Sequence, residues 1–222
     1  MYSIVIVTYN NDFDKLQICL QSLYLHLKNT DVPVVIVLND TEQHLEALHN
    51  ITDQYNNIKV LHCSKLGSWT HSLDWWSQQY FKLATSNVIS TPWYLVVDSD
   101  DVFINNVDDY LFDQGRARCL TEPFIHIKNT DLLTWLNQAY DTIGYSKLPD
   151  VTMGNLTPFM MNTQVTRKLF SKIGSNWADT RYPDSLTLEF YLYYAYLDQQ
   201  DLFDSLYIPV NSLGYSVDKR VG

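Results

Sequence analysis

The sequence has few basic residues, few cysteines and few glycines, and these shortages argue against several classes of protein. Its 222 residues include 15 Lys and Arg against 25 Asp and Glu, which gives a formal net charge of −10. Without a cluster of basic residues such a surface repels nucleic-acid phosphate, so no nucleic-acid partner is expected. The three cysteines, Cys19, Cys63 and Cys119, are too few and too scattered for a disulfide framework. They are expected to be reduced, mostly buried thiols, which favours the cytoplasm.

Long apolar runs are also absent. No run reaches the roughly 20 residues that a transmembrane helix requires, so no transmembrane segment is predicted. The first residues, "MYSIVIVTYN", lack the basic start of a signal peptide, and their short apolar run is typical of a strand. The hydrophobic content of 46% is enough for a sizeable core. We therefore expect a soluble globular chain.

The N-terminal half alternates between β-branched apolar runs and stretches with helical spacing. Strands are predicted at residues 3–8, 34–39, 58–63 and in a fourth run that opens after Pro92. Helices are predicted between them at residues 12–27, 41–55 and 68–83. Strands that alternate with helices in this way form an α/β fold with a parallel sheet and helices on both faces. Ligands of such sheets bind at the carboxyl ends of the strands.

The alternation stops after Asp101. Helices are predicted at residues 131–140, 163–173 and 185–197, strand-like pieces such as "PFIHI" lie between them, and the tail from Gln199 is expected to be irregular. No linker or repeat separates the two halves. The sequence therefore predicts one compact domain, in which residues 1–105 form a βα half and residues 106–222 a mixed α+β half that completes a site.

Three carboxylates follow the fourth predicted strand, in "WYLVVDSDDVF". In an extended segment Asp98 and Asp100 project to the same side. Two converging carboxylates are poorly placed unless a cation lies between them, and Mg²⁺ or Mn²⁺ accepts such oxygens together with substrate phosphates. The alternative is a solvated acidic turn in which Asp101 caps the next segment. The metal interpretation is favoured, and the acidic turn remains the alternative interpretation.

Three ligand classes can be weighed against the same strand ends. The turn "VTYNNDF" has no glycine, which argues against a nicotinamide dinucleotide, and no P-loop sequence is present. The run "VVDSDDV" also fits the aspartate motif of haloacid-dehalogenase-type phosphatases. In that family the motif normally ends the first core strand, and a second acidic pair follows it, which this sequence does not offer.

The order of these motifs resembles that of the GT-A class of nucleotide-sugar glycosyltransferases. "VIVTYNN" is similar to the turn after the first strand of that class, "VIVLNDTE" to the acidic turn after the second, and "SKLGSWTHSLDWW" to the Gly-containing loop after the third. The fourth strand then ends in D-x-D, as "VVDSDD" does. The second motif lacks the usual Gly. The resemblance covers about residues 1–105. Downstream, "TPFMMN" and "YPDSLTLEFYLYYAYL" resemble a small group often found in bacteria and their viruses.

The resemblance implies a GT-A, Rossmann-like fold and a metal-dependent transfer of sugar from a nucleoside-diphosphate sugar to a carbohydrate or glycoconjugate acceptor. It assigns residues 1–105 to the donor and residues 106–222 to the acceptor, and it implies Mn²⁺ or Mg²⁺ held by Asp98 and Asp100. It also implies a bacterial cytoplasm, or a host cytoplasm if the source is viral. The residues carried over to donor binding are Thr8, Tyr9, Asn10, Asn39, Asp40, Gly67, Ser68, Asp98 and Ser99.

The general base that accepts the proton of the acceptor hydroxyl is expected in the second half of the chain. Glu189 is the only charged residue between Asp184 and Asp198, among Leu, Phe and Tyr, and such surroundings raise a carboxyl pKa as a base requires. The alternative is a structural Glu bonded to tyrosines. Asp184 is the second candidate base, although a helix N-terminus also explains it.

Other residues complete the list of candidates. The possible third metal ligands are His62, His71 and His126, and the rings that could stack on sugars are Trp69, Trp75, Trp76, Trp177 and Tyr182. Two other functions stay open: a phosphate-directed hydrolase or nucleotidyltransferase that uses the same acidic cluster, and a non-catalytic carbohydrate-binding relative.

Overall fold

A computed structural model of the chain describes residues 1–67, 69, 72–123, 127, 130–146, 149–174, 177 and 187–210. The strands are β1 (Tyr2–Thr8), β2 (Val34–Leu38), β3 (Ile58–His62), β4 (Trp93–Asp98), β5 (Phe112–Asp113), β6 (Arg116–Pro123), β7 (Val151–Met153), β8 (Phe159–Asn162) and β9 (Tyr207–Val210). The helices are α1 (Phe13–His26), α2 (Leu45–Thr52), α3 (Trp75–Ala84), α4 (Asp108–Leu111), α5 (Thr130–Ile143), α6 (Thr163–Ile173), α7 (Glu189–Gln199) and α8 (Phe203–Leu206).

The main sheet has five strands in the order β3-β2-β1-β4-β8. The first four are parallel, and β8 pairs antiparallel with β4 at the edge, with Val96 opposite Phe159. Every residue of β1 and β2 is buried, which is why both read as uninterrupted apolar runs. Since β1 lies between β2 and β4, the carboxyl ends of these three strands are neighbours. The predicted parallel sheet is confirmed.

Helices cover the sheet as the alternation predicted. Helix α1 contacts α2, whereas α3 contacts β1, α6 and α7. The prediction that the third helix starts at residue 68 is wrong, because α3 begins at Trp75. The Asp74 side chain accepts from the Trp76 and Ser77 backbone N–H groups, and the Ser77 hydroxyl accepts from the Asp74 N–H. This capping box fixes the start of the helix.

A smaller sheet in the second half is built around β6. Strands β5 and β7 pair with β6 antiparallel, and β9 pairs with it parallel, with Ala117 opposite Tyr207. The expectation of an irregular tail from Gln199 is therefore wrong for residues 203–210, which form α8 and β9. A strand of four residues that includes Pro209 is too short to show alternation.

Two expectations about composition can be compared with the structure. All three cysteines are free and buried, as expected. Within the residues described, no helix is both long and apolar enough to cross a bilayer.

Candidate active site

A cavity of about 350 Å³ lies at the carboxyl ends of β1, β2 and β4. We call it the strand-end cavity. Its lining residues are Val7, Tyr9, Asp12, Asn39, Leu73, Asp74, Trp75, Gln78, Asp98, Ser99 and Asp100. The structure thus brings Tyr9, Asn39 and the Asp98–Asp100 turn into one site, which is the position expected for a ligand of a parallel sheet.

The turns after β1 and β2 are tied to each other. Asp40 accepts hydrogen bonds from the Asn10 N–H at 3.1 Å and from the Thr41 N–H at 2.7 Å, and His44 lies 3.0 Å from the same carboxylate. Partial burial opposes ionisation, but these hydrogen bonds outweigh it and lower the pKa of Asp40. Asp40 therefore holds the Asn10 turn beside the cavity. Thr8 is fully buried, and its carbonyl oxygen accepts a hydrogen bond from the Asn39 N–H.

Asn39 links β2 to the start of α3. Its side-chain N–H donates to the Asp74 carbonyl at 3.0 Å, and its side-chain oxygen accepts from the Ser77 hydroxyl at 2.9 Å. The same residue lines the strand-end cavity. Any ligand that meets Asn39 therefore meets a side chain already fixed by two hydrogen bonds.

The acidic turn after β4 is held by its own backbone. Asp101 is fully buried, its carboxylate accepts from the Asp98 N–H at 3.0 Å, and its N–H donates to the Asp98 carbonyl at 3.1 Å. Asp101 is thus the residue that caps the turn. Asp98 and Asp100 are left to face the cavity. The Ser99 hydroxyl lies 3.4 Å from the Asp12 carboxylate on the opposite wall.

A buried ion network lies behind Asp98. The Lys82 ammonium is 3.0 Å from Asp98 Oδ1 and 3.1 Å from Glu189 Oε1, and the Thr157 hydroxyl donates to Asp98 Oδ2 at 2.8 Å. Lys82 comes from α3, and Glu189 is the first residue of α7. Both are almost completely buried, at 4% and 1% exposure. The network therefore joins the two halves of the chain through one ammonium shared by two carboxylates.

The charges of this network depend on one another. Burial opposes the ammonium form, but the carboxylates of Glu189 and Asp98 raise the pKa of Lys82 above its usual value. Burial raises the pKa of the Glu189 carboxyl, and Lys82 opposes that rise. Lys82 is thus firmly cationic, and Glu189 is a carboxylate that accepts a proton more readily than an exposed one.

Sequence reasoning missed Lys82, although the signal for it was present. Lys82 is the only charged residue between Asp74 and Asp98, as Glu189 is between Asp184 and Asp198. Lone charges in two apolar helices are natural partners for each other. Glu189 pairs with this lysine. The hydroxyl of Tyr193, one turn along the helix, instead accepts from the Asn162 N–H and bonds the Tyr207 hydroxyl.

A second cavity, of about 270 Å³, opens on the other side of Asp98. We call it the junction cavity. It shares Trp75 and Asp98 with the strand-end cavity, and its wall also contains Lys82 and Glu189. Trp135 completes an aromatic side, with its ring centroid 6.1 Å from that of Trp75. The junction cavity thus combines two carboxylates, an ammonium and two indole rings.

The remaining candidates are scattered. A Cβ on Gly67 would lie 2.3 Å from the Tyr80 hydroxyl oxygen, so this position requires glycine for packing against α3.

His62 bonds the Asp40 carbonyl at 2.7 Å and Ser64 at 2.8 Å. Trp76 packs edge-on against Trp75 and Trp135, the Trp69 indole donates to the Ser72 carbonyl, and Trp177 is buried. Five candidates lie outside the described residues: Ser68, His71, His126, Tyr182 and Asp184.

Metal ligands were sought among His, Cys, Asp and Glu side chains. In the described part of the chain, no group of three or more of them is placed to hold a metal ion. Of the predicted ligands that the structure describes, Asp98 and Asp100 line the strand-end cavity and His62 does not.

Comparisons with known proteins agree with this architecture. The model of a family of unknown function, DUF6492, matches residues 3–217. No curated protein matches the chain. Mouse xyloside xylosyltransferase 1 is similar in structure, with a TM-score of 0.53 and 12% identity over 94% of this chain and 84% of that one.

Two further structures show the same fold. The bifunctional glycosyltransferase WbbM gives a TM-score of 0.53 at 12% identity, over 94% of this chain, and the chain spans only 38% of WbbM. The galactosyltransferase LgtC, solved with donor and acceptor sugar analogues, gives 0.50 at 15% identity over 88% of this chain and 70% of that one. The predicted GT-A fold is therefore confirmed.

Proposed function

The chain belongs to the family of unknown function DUF6492, and from its fold and site we propose that it is a glycosyltransferase that uses a nucleoside-diphosphate sugar. One observation carries this proposal: Asp98, Asp100, Tyr9 and Asn39 line one cavity at the ends of three adjacent parallel strands. Its volume of about 350 Å³ is within the usual range for small-molecule sites. The structurally similar xylosyltransferase and LgtC support the same conclusion through their fold.

The donor is placed with its nucleoside toward the β1 and β2 turns and its diphosphate toward the β4 turn. Tyr9 offers a ring to the base, and Asn39 offers a fixed side-chain amide. Asp40 acts on the nucleoside through Asn10, whose backbone it positions. The net negative charge of the protein makes a cation necessary beside the diphosphate.

The ligands proposed for a Mg²⁺ or Mn²⁺ ion shared with the substrate are Asp98 and Asp100, which both line the strand-end cavity. Such ions often bind one or two carboxylates and take their other ligands from water and phosphate. When bound, the ion would neutralise the charge that develops on the departing diphosphate. The Lys82 ammonium and the Thr157 hydroxyl already contact the two oxygens of the Asp98 carboxylate, so we expect weak binding of the metal alone and strong binding with the diphosphate.

Glu189 is proposed as the base that receives the proton of the acceptor hydroxyl. It lies in the wall of the junction cavity, next to Asp98, and burial favours its protonated form. In the transfer the acceptor oxygen bonds to the anomeric carbon and the bond from that carbon to the diphosphate breaks. Lys82 holds the carboxylates of Asp98 and Glu189 in a fixed relation throughout. Asp184 is kept as the second candidate base.

The test measures binding of a panel of nucleoside diphosphates by calorimetry, with and without Mn²⁺. We expect at least one to bind tightly with Mn²⁺ and at least about tenfold more weakly without it. Asp100→Asn should abolish this dependence and leave the melting temperature unchanged, because Asp100 faces the cavity. Asp53→Asn, at a carboxylate that is 74% exposed on the surface, is the matched control. Equal binding by Asp100→Asn and wild type would contradict the metal assignment.

A further inference from the structure

A third cavity, of about 610 Å³, lies between the smaller sheet and the edge of the main sheet. Strands β6, β7 and β8, the start of α5 and the segment 154–158 contribute to its wall. The described residues that line it are mostly apolar, and the larger apolar ones are Leu120, Leu132, Met153, Leu156, Phe159 and Met160. Arg118 and Glu122 are the charged residues of its wall. We call it the apolar cavity. Nothing in the proposed transfer of a sugar between polar groups uses it.

The apolar cavity adjoins the candidate active site. Asn155 and Leu156 line both the apolar cavity and the junction cavity. The junction cavity in turn shares Trp75 and Asp98 with the strand-end cavity. The three cavities therefore follow one another, from the strand ends, past Asp98 and Glu189, to the apolar cavity.

The segment that separates the last two cavities is anchored at both ends. The Gly154 N–H donates to the Leu120 carbonyl at 3.0 Å, and the Thr157 hydroxyl donates to Asp98 at 2.8 Å. Between these anchors Leu156 is 61% exposed, although it borders both cavities. A large exposed leucine between a polar site and an apolar cavity is well placed to contact a ligand that enters both.

We propose that the acceptor is a glycoside with an apolar alkyl aglycone, an inference that rests on the proposed function. Its sugar ring lies in the junction cavity, against the indoles of Trp75 and Trp135 and with a hydroxyl toward Glu189. Its alkyl chain passes Leu156 into the apolar cavity. The order of the cavities carries the assignment: the diphosphate, the accepting hydroxyl and the alkyl chain each meet the chemistry that suits them.

The experiment compares methyl and octyl glycosides of the same hexose, over a panel of hexoses, by calorimetry on the full chain with Mn²⁺ and a nucleoside diphosphate. Each buried methylene contributes about fourfold to affinity, so an octyl glycoside that buries three or four of them should bind about 100-fold more tightly than its methyl partner. It should also bind more tightly than 1-octanol. Equal affinities of the methyl and octyl glycosides would overturn the inference.

Two variants test the position of the alkyl chain. Leu156→Ser should lower the octyl-to-methyl ratio by several fold, and the exposure of Leu156 lets the variant keep its fold. Leu25→Ser, at a leucine that is 77% exposed on α1, is the matched control and should leave the ratio unchanged. An octyl glycoside with a photoreactive group at its chain end should label residues 118–122 or 153–160. Labelling confined to other residues would overturn the proposal.

The remaining outcomes separate this inference from the function on which it rests. If Mn²⁺-dependent binding of the diphosphate persists but octyl glycosides gain nothing, the alkyl aglycone is wrong and the glycosyltransferase proposal stands. If 1-octanol binds as tightly as the octyl glycoside, the cavity is a lipid site independent of sugar, and the inference is overturned. If no diphosphate binds, both fail.

Discussion

At the scale of single residues, Lys82 links two residues that sequence reasoning selected separately, Asp98 and Glu189. Its ammonium contacts Asp98 in the strand-end cavity and Glu189 in the junction cavity. A buried cation between two carboxylates costs desolvation, so its value is in fixing geometry rather than in adding stability. It holds the proposed metal ligand and the proposed base in a constant relation to each other.

Lys82→Met should destabilise the protein strongly. The substitution keeps much of the side-chain volume and leaves the buried Glu189 and the partly exposed Asp98 without their cation. Removal of one partner of a buried ion pair typically costs about 3–5 kcal/mol in the free energy of unfolding. Denaturant unfolding measures it. The double variant Lys82→Met/Glu189→Gln also removes the unpaired charge of Glu189 and should recover part of the lost free energy of unfolding. No recovery in the double variant would mean that the pair is not coupled in this way.

Glu189→Gln should slow sugar transfer without lowering the affinity for the nucleoside-diphosphate sugar. Loss of a general base typically costs about 10²–10⁴ in rate, whereas the proposed donor site is the strand-end cavity, which Glu189 does not line. Transfer kinetics and donor affinity measured on the same preparation separate the two effects. Full transfer activity in this variant would move the base elsewhere, with Asp184 next. A lower melting temperature with unchanged transfer would make Glu189 a structural partner of Lys82 only.

Asp40→Asn should weaken nucleotide binding and should also change how stability depends on pH. The folded state lowers the pKa of Asp40, so the carboxylate stabilises the fold above its unfolded pKa, and this contribution is lost as pH falls through the folded pKa. The stability difference between wild type and variant should therefore be largest near pH 7 and shrink below about pH 4. Unfolding curves at several pH values measure it. A difference that does not change with pH would show that the Asn10 and Thr41 hydrogen bonds do not need the charge.

At the scale of elements, α3 and α7 bring the two halves of the site together. The capping box at Asp74 starts α3 directly beside the strand-end cavity, and Lys82 follows two turns later on the same helix. The start of α7 is set by Phe190, whose ring stacks on Phe159 of β8 with centroids 4.0 Å apart. Glu189 is therefore positioned by packing against the sheet edge.

The contact between the loop after β3 and α3 predicts a rescue experiment. Gly67→Ala would place a methyl group 2.3 Å from the Tyr80 hydroxyl oxygen, which forces a shift and should cost about 1–3 kcal/mol of stability. Tyr80→Phe removes that oxygen, and the nearest remaining ring atom is then 3.2 Å away. The double variant should thus be more stable than the sum of the two single changes. Strict additivity of the unfolding free energies would contradict the predicted clash.

At the scale of the whole molecule, the parallel sheet could be predicted from the sequence and the smaller sheet could not. Strands β1, β2 and β4 are buried on both faces, so each reads as an apolar run without reference to its neighbours. Strand β9 has four residues and pairs with a strand some ninety positions earlier, from Ala117 to Tyr207. Nothing local in "YIPV" indicates that partner.

The candidate site likewise has one part that local sequence predicts and one part that depends on the packing of distant elements. The turn from Asp98 to Asp101 could be predicted because it follows a predicted strand, and the structure adds that Asp101 caps it. The Lys82–Glu189 pair required knowledge that α3 and α7 touch, which is a property of the packing of two distant helices. Sequence alone identified Glu189 as anomalous but could not supply its partner.

The pairing of β9 with β6 has a consequence for the order in which the protein folds during synthesis. Strands β1 to β4 and the turns that line the strand-end cavity are complete once the chain has passed Asp101, and chains generally begin to fold from the N-terminal side as they emerge. Glu189, Tyr193 and Tyr207 arrive last, and β6 has no parallel partner before then. A chain interrupted between these points would present the strand-end cavity without Glu189, the proposed base, and without the β6–β9 pairing. If the proposed function holds, truncated chains should bind the nucleoside-diphosphate sugar without transferring its sugar.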